Sequence, residues 1–218
     1  MTTSAILSEL GFARRIADYA DRLGACSSPS VRRTESDHIG AVLADAILQA
    51  GMNYRTVVRL RVERIRSDFP EAATLPGLLA LVHERGAAHF LLWSHPVKVS
   101  RFLSLTQLLA VQDICTTIEL KRWLCQSGSR EHLLSLRGIG PKTHDYLCCL
   151  VGLDCIAVDR HVRAFAGEAG VAISDYERLR SVVSYAADLL GMSRRDFDGW
   201  IWRTVSARTA DNRQFTLV

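Results

Sequence analysis

The chain has 218 residues, 48% of them apolar, with a net charge of +4 and an isoelectric point near 8.8. That is enough apolar material for one large helical domain or two small lobes, and it excludes wholesale disorder. The longest apolar runs, such as Leu147 to Leu153, are too short to cross a bilayer, and Arg14 and Arg15 come too late for a secretory leader, so the reading is of a soluble intracellular protein.

Helical periodicity recurs along the chain and no alternating strand pattern stands out, which predicts an all-α fold. Residues 5–23 read as an amphipathic helix ending near Gly24, followed by a Ser/Pro loop from Cys26 to Arg33. Thr34 and Asp37 have capping-box spacing before a helix with Ile39, Val42, Leu43, Ala46, Ile47 and Ala50 on one face and Gly51 at its end. Residues 54–67 form a basic helix carrying Arg55, Arg59, Arg61, Arg64 and Arg66, either a solvated face or a contact with nucleic acid.

Pro76 can open a helix with Leu78, Leu79, Leu81 and Val82 inward and Gly86 at its end. Pro96 can open another with Val99, Phe102, Leu103 and Thr106 inward. Thr116 with Glu119 has cap spacing for a short helix ending near Gly128, and Ser129 is placed to cap the next, which runs to Leu136. Ser174 with Glu177 and Ser193 with Asp196 repeat the cap signal; Phe197, Trp200, Ile201 and Thr204 then follow at helical intervals. Trp93, Trp123, Trp200 and Trp202 read as core or lobe-interface residues. The six cysteines contain no C-x-x-C pair, so neither a zinc site nor a disulfide framework is indicated; Cys148 and Cys149 read as core fillers.

The most informative stretch is Leu133-Leu134-Ser135-Leu136-Arg137-Gly138-Ile139-Gly140-Pro141-Lys142-Thr143. A helix ends, a Gly-Ile-Gly turn follows, and a second helix starts at once. Two glycines let the backbone turn sharply and approach a ligand closely. Pro141 suits the first helical turn, whose free N–H groups favour an anion such as a phosphate. Only three of the 27 Lys and Arg residues are lysine: Lys98, Lys121 and Lys142. A chain that writes arginine elsewhere keeps at position 142 a side chain able to act as an amine nucleophile.

Leu136 to Thr143 resembles a helix-hairpin-helix DNA-binding motif, and Ile156-Ala157-Val158-Asp159-Arg160-His161-Val162 resembles a segment of the endonuclease III family at nearly the same distance from the hairpin. Together they are similar to the helix-hairpin-helix DNA glycosylases of base-excision repair. The resemblance implies two helical lobes with the hairpin at the DNA cleft: residues 31–154, with the hairpin at 131–151, and residues 1–30 plus 155–218. It implies Lys142 as the nucleophile that forms an imine with the sugar and gives an abasic-site lyase step, with Asp159 as its acidic partner. Position in the first helical turn and any burial should lower the Lys142 pKa. Asp159 also reads as an N-cap.

The resemblance further implies DNA contacts from Arg137, Gly138, Ile139, Gly140 and Thr143. It places Gln49 beside the flipped base or in the gap it leaves. A monovalent cation would sit on the carbonyls of Leu134, Leu136 and Ile139, and Lys98 falls at a commonly basic position. Ser94 and His95 stand where relatives wedge into the duplex. His161 is a structural or phosphate-contacting residue; His144 and Asp145 follow the hairpin on its second helix and are not counted among the site residues. With no cysteine after Cys155, the iron–sulfur cluster of many relatives is absent. The partner is double-stranded DNA with a lesion or mismatch, met by a monomer in the cytoplasm, at the nucleoid. A monofunctional glycosylase using Asp159 and water, and a non-enzymatic DNA-binding module, are the alternatives, and the excised base stays open.

Overall fold

A computed structural model of the chain describes the backbone of residues 3–25 and 36–214, and side chains over 7–25 and 36–208. The loop Cys26 to Arg33 and the cap residue Thr34 lie outside the described residues. Among those described, all regular structure is helical and no strand occurs. None of these helices is long and apolar enough to cross a membrane. The chain divides into two compact units, one of residues 3–25 with 154–214, the other of residues 36–153.

The first unit holds α1 (Thr3–Arg22), α10 (Arg160–Glu168), α11 (Tyr176–Leu189) and α12 (Arg194–Gln214). Its core is almost wholly apolar: Ile16 from α1, Val162 and Phe165 from α10, Val182 and Val183 from α11, and Phe197, Trp200 and Ile201 from α12. Phe165 sits at the centre, edge-on to Trp200 at 5.6 Å and to Phe197 at 6.3 Å. Ser193 caps α12 by accepting the Asp196 N–H at 3.1 Å, as the spacing predicts. The cap of α11 falls one residue later than predicted: Asp175, not Ser174, accepts the Arg178 N–H at 2.7 Å.

The second unit is built around α2 (Ile39–Leu48), all ten of whose residues are buried. An apolar stripe explains only part of this. Helices α3 (Arg59–Asp68), α4 (Leu75–Arg85), α6 (Pro96–Val111) and α9 (Pro141–Leu150) pack against it, so it has no solvent face. Its cap is His38 rather than a Thr34–Asp37 box. His38 Nδ1 accepts the Ala41 N–H at 3.1 Å and Nε2 donates to the Phe69 carbonyl at 3.0 Å. Burial pushes this imidazole down, consistent with the neutral ring those two roles require.

A wide turn of π-helix at Tyr54–Val58 leads into α3, and a short 3-10 turn at Pro70–Ala73 leads to α4. A short helix that periodicity did not reveal, α5 (Ala87–Leu91), follows, and its Phe90 lies so close to Gly40 of α2 that a side chain there would collide. Two leucines expected inward face outward. Leu79 and Leu103 are exposed because Leu75, Leu78 and Leu81 on α4, and Phe102, Leu105 and Leu109 on α6, already fill the inner faces. Thr116 and Glu119 form the predicted capping box of α7 (Thr117–Leu124). The next helix, α8 (Ser129–Leu134), starts from Gly128, and buried Ser129 instead donates its hydroxyl to the carbonyls of Leu124 and Gln126.

Candidate active site

The hairpin joins α8 to α9 within the second unit. Gly138 turns it at φ +84°, and any side chain there would run into the Arg101 guanidinium. Left-handed backbone and a close neighbour both call for glycine. Arg137 and Gly138 are exposed at the tip, while the Ile139 side chain is buried and its N–H donates to the Leu136 carbonyl at 3.0 Å. The N–H groups of Gly138 and Gly140 have no partner among the described residues, and the Gly140 carbonyl accepts from Thr143 and His144. The turn thus presents two backbone donors beside a positive helix start, an arrangement suited to a phosphate oxygen. Of the three carbonyls read as cation ligands, that of Leu136 also closes the turn.

Lys142 and Gln49, read separately from the sequence, are brought together. The Lys142 amine donates to Gln49 Oε1 at 2.7 Å. One helical turn further on, α9 and α2 meet again through Tyr146, whose hydroxyl donates to Asp45 Oδ1 at 3.0 Å. Tyr54 donates to the other oxygen of the same buried carboxylate at 3.1 Å. Burial raises the Tyr146 phenol well above its usual range, so it stays a donor. The i, i+4 spacing of Asp45 and Gln49 on α2 matches that of Lys142 and Tyr146 on α9, which gives two rungs between two helices. The lower rung lacks any local sequence signal.

Lys98, from α6, closes the end of α2. Its amine donates to the carbonyls of Ile47, Leu48 and Ala50 at 2.9, 3.0 and 2.8 Å. Burial, with the charges of Arg101 and Lys142, brings its pKa down to about 8.

His144 and Asp145 both meet Arg130 of α8. Asp145 Oδ1 accepts from Arg130 Nη1 at 3.0 Å and from His144 Nδ1 at 2.8 Å, and the carboxylate is buried. Burial opposes charge on His144, but the Asp145 carboxylate and the Cys148 sulfur outweigh it and push the imidazole up to about 9. The cluster ties the two hairpin helices together behind the turn.

The basic helix divides its arginines. Arg59 pairs with Glu63 and Arg64 with Asp68 on a solvated face, whereas Arg61 donates to the carbonyls of Leu92 and Val57 and lies 5.0 Å over the Trp93 ring. Ser94 and His95 are exposed just before α6.

Asp159 belongs to the first unit. It caps α10 as expected: Oδ1 accepts from the N–H groups of His161 at 2.8 Å and Val162 at 3.0 Å. Oδ2 meets His161 Nδ1 at 2.7 Å, and His161 Nε2 lies 3.5 Å from the Ser206 hydroxyl. His161 is therefore an orienting partner of Asp159. Among the described residues no group of three His, Cys, Asp or Glu side chains is arranged to hold a metal ion.

No family model and no curated protein sequence matches the chain. A solved structure does: the crystal structure of H. pylori 3-methyladenine DNA glycosylase (MagIII) bound to 1,N6-ethenoadenine is similar over 94% of this chain and 98% of that chain, with a TM-score of 0.60 and 16% sequence identity. The all-helical architecture and the shared arrangement along nearly the whole chain give the conclusion that this protein has the fold of a DNA glycosylase.

Proposed function

We propose that the protein is a DNA glycosylase of base-excision repair, acting on lesion-containing or mismatched duplex DNA, with an abasic-site lyase step carried by Lys142. The observation that supports it most is the hairpin itself: Lys142 opens a helix directly after two unpartnered backbone donors, within the fold of a glycosylase. The hairpin N–H groups and Arg137 hold the phosphodiester next to an extruded nucleotide; extrusion costs a few kcal/mol. The Lys142 amine attacks the anomeric carbon, the carbon–nitrogen bond to the base breaks, and the base leaves with that electron pair and takes a proton. Loss of a proton from the lysine nitrogen and opening of the sugar ring give an imine, from which the 3′ phosphate is eliminated. Asp159, whose carboxylate is oriented by two backbone N–H groups and by His161, stabilises positive charge on the sugar. Gln49 orients the amine.

One observation favours a second reading. The Lys142 amine is held by Gln49 at 2.7 Å, so Lys142 can serve as a fixed cation at the phosphate while Asp159 directs water to the sugar. Borohydride trapping on a panel of modified duplexes separates the two. The panel should include 3-methyladenine and 1,N6-ethenoadenine, the bases named for the H. pylori enzyme. An adduct that disappears in Lys142→Gln supports the lyase; base release without an adduct, surviving in Lys142→Gln but lost in Asp159→Asn, supports the water mechanism. Unchanged function in Asp159→Asn, with salt-sensitive binding alone, marks a non-enzymatic DNA-binding protein.

A further inference from the structure

A helix buried all round has a particular problem at its C-terminus. Its last carbonyls have no intrahelical donor and no water, and leaving them unpaired is costly. At the end of α2 the carbonyls of Ile47 and Leu48, and that of Ala50 in the turn just after it, converge on one point, occupied by Lys98 Nζ, and the ammonium's three donors match the three acceptors. A guanidinium, planar and forked, does not present three donors from one atom, which accounts for a lysine at this place in a chain so rich in arginine. The C-cap of this helix is Gln49, whose amide oxygen receives Lys142. Lys98 therefore sets the helix end that meets Lys142.

The second link is electrostatic. Lys142 is among the charges acting on Lys98, and a Coulomb interaction is mutual: Lys98 acts on Lys142 with equal energy. The charged groups facing Lys98 are Arg101, from its own helix, and Lys142, from α9. Both are cations, whereas the α2 carbonyls hold the ammonium in place.

We propose that Lys98 is a positioning residue for Lys142: it fixes the α2 terminus that carries Gln49 and sets a positive charge against the Lys142 amine. This deepens the reading of Lys142 as a nucleophile and rests on it for its purpose, but its test does not depend on catalysis.

The three lysines make the test direct. Protein labelled with 13C at the lysine ε-carbon gives three side-chain signals, whose pH titrations can be followed in the free protein. In Lys98→Met the Lys142 midpoint should rise by on the order of half a pH unit, because a repelling charge is gone. The Gln49 side-chain amide signal should shift with it. If Lys98→Met does not fold, Lys142→Gln tests the same coupling in reverse: the Lys98 midpoint should rise from about 8. A Lys142 midpoint unmoved in folded Lys98→Met, or a Lys98 midpoint unmoved in Lys142→Gln, overturns the proposal. A merely structural lysine would change the melting temperature without moving either midpoint. A protein that keeps the coupling but traps no DNA would refute the nucleophile and leave the coupling standing.

Discussion

The two units bury polar residues to very different extents. In the first, the core is aliphatic and aromatic, Glu9 is the one buried charged residue among those described and pairs with Arg178, and Asp159 stays at a helix start where the local backbone supplies its donors. In the second, His38, Asp45, Thr106, Thr117, Ser129, His144 and Asp145 are all buried, and His38, Asp45 and Asp145 each draw a partner from another element. The first kind of site survives changes elsewhere in its unit, because adjacent residues orient it. The second depends on helix packing, and the packing depends on it, since removing a partner weakens a buried network. A hairpin that must hold an amine in one place against a second helix belongs with the second kind.

The contrast can be broken most strongly from the apolar side. Phe165→Ala empties the centre of the first unit and should cost about 4 kcal/mol in urea unfolding. Asp145→Asn should cost about 3 kcal/mol, because it removes the buried carboxylate that a charged His144 and Arg130 share in the second unit. Its effect should extend to DNA affinity through the hairpin, which Phe165→Ala should spare in protein that remains folded. Gly138→Ala, which demands a left-handed residue and displaces Arg101, should cost about 1–2 kcal/mol and weaken DNA binding in a salt-dependent titration. Asp159→Ala should cost about 1 kcal/mol as a lost cap, and Asp159→Ser should recover most of that stability without restoring base release. Recovery of activity in Asp159→Ser would show that the cap, not the carboxylate, is what function needs.

The second unit carries two opposed pH responses. The folded pKa of His144 lies above its unfolded value of 6.5, at about 9, so its stabilising contribution is complete below pH 6.5 and is lost as pH rises toward 9. Lys98 runs the other way. Its folded pKa is about 8 against 10.5 unfolded, so its cost is complete below pH 8 and relieved between pH 8 and 10.5. Denaturant midpoints measured between pH 6 and 9 should fall, and His144→Gln should flatten that slope.

Legibility followed sequence distance. The Thr116–Glu119 box, the Ser193 cap, the Asp159 cap and the Gly138 turn were readable because each is decided within a few residues by backbone geometry. The outward turn of Leu79 and Leu103 was not, because an apolar residue beside a helix's inner face looks the same in sequence whether or not that face is already full. Nor was the His38 cap, since the histidine's neutral form depends on burial and on a carbonyl 31 residues away.

By itself, then, the sequence determined an all-helical chain with one sharp glycine hairpin, because periodicity, capping and turn chemistry are local; Lys142, Asp159 and Gln49 were candidates that the family resemblance implied. Only the tertiary structure decided that Gln49 meets Lys142, that Lys98 closes the buried end of α2, and that Arg130, His144 and Asp145 lock the hairpin from behind. The contacts of Gln49 with Lys142 and of Arg130 with Asp145 join residues 93 and 15 apart, and the need for them arises only once packing has removed water.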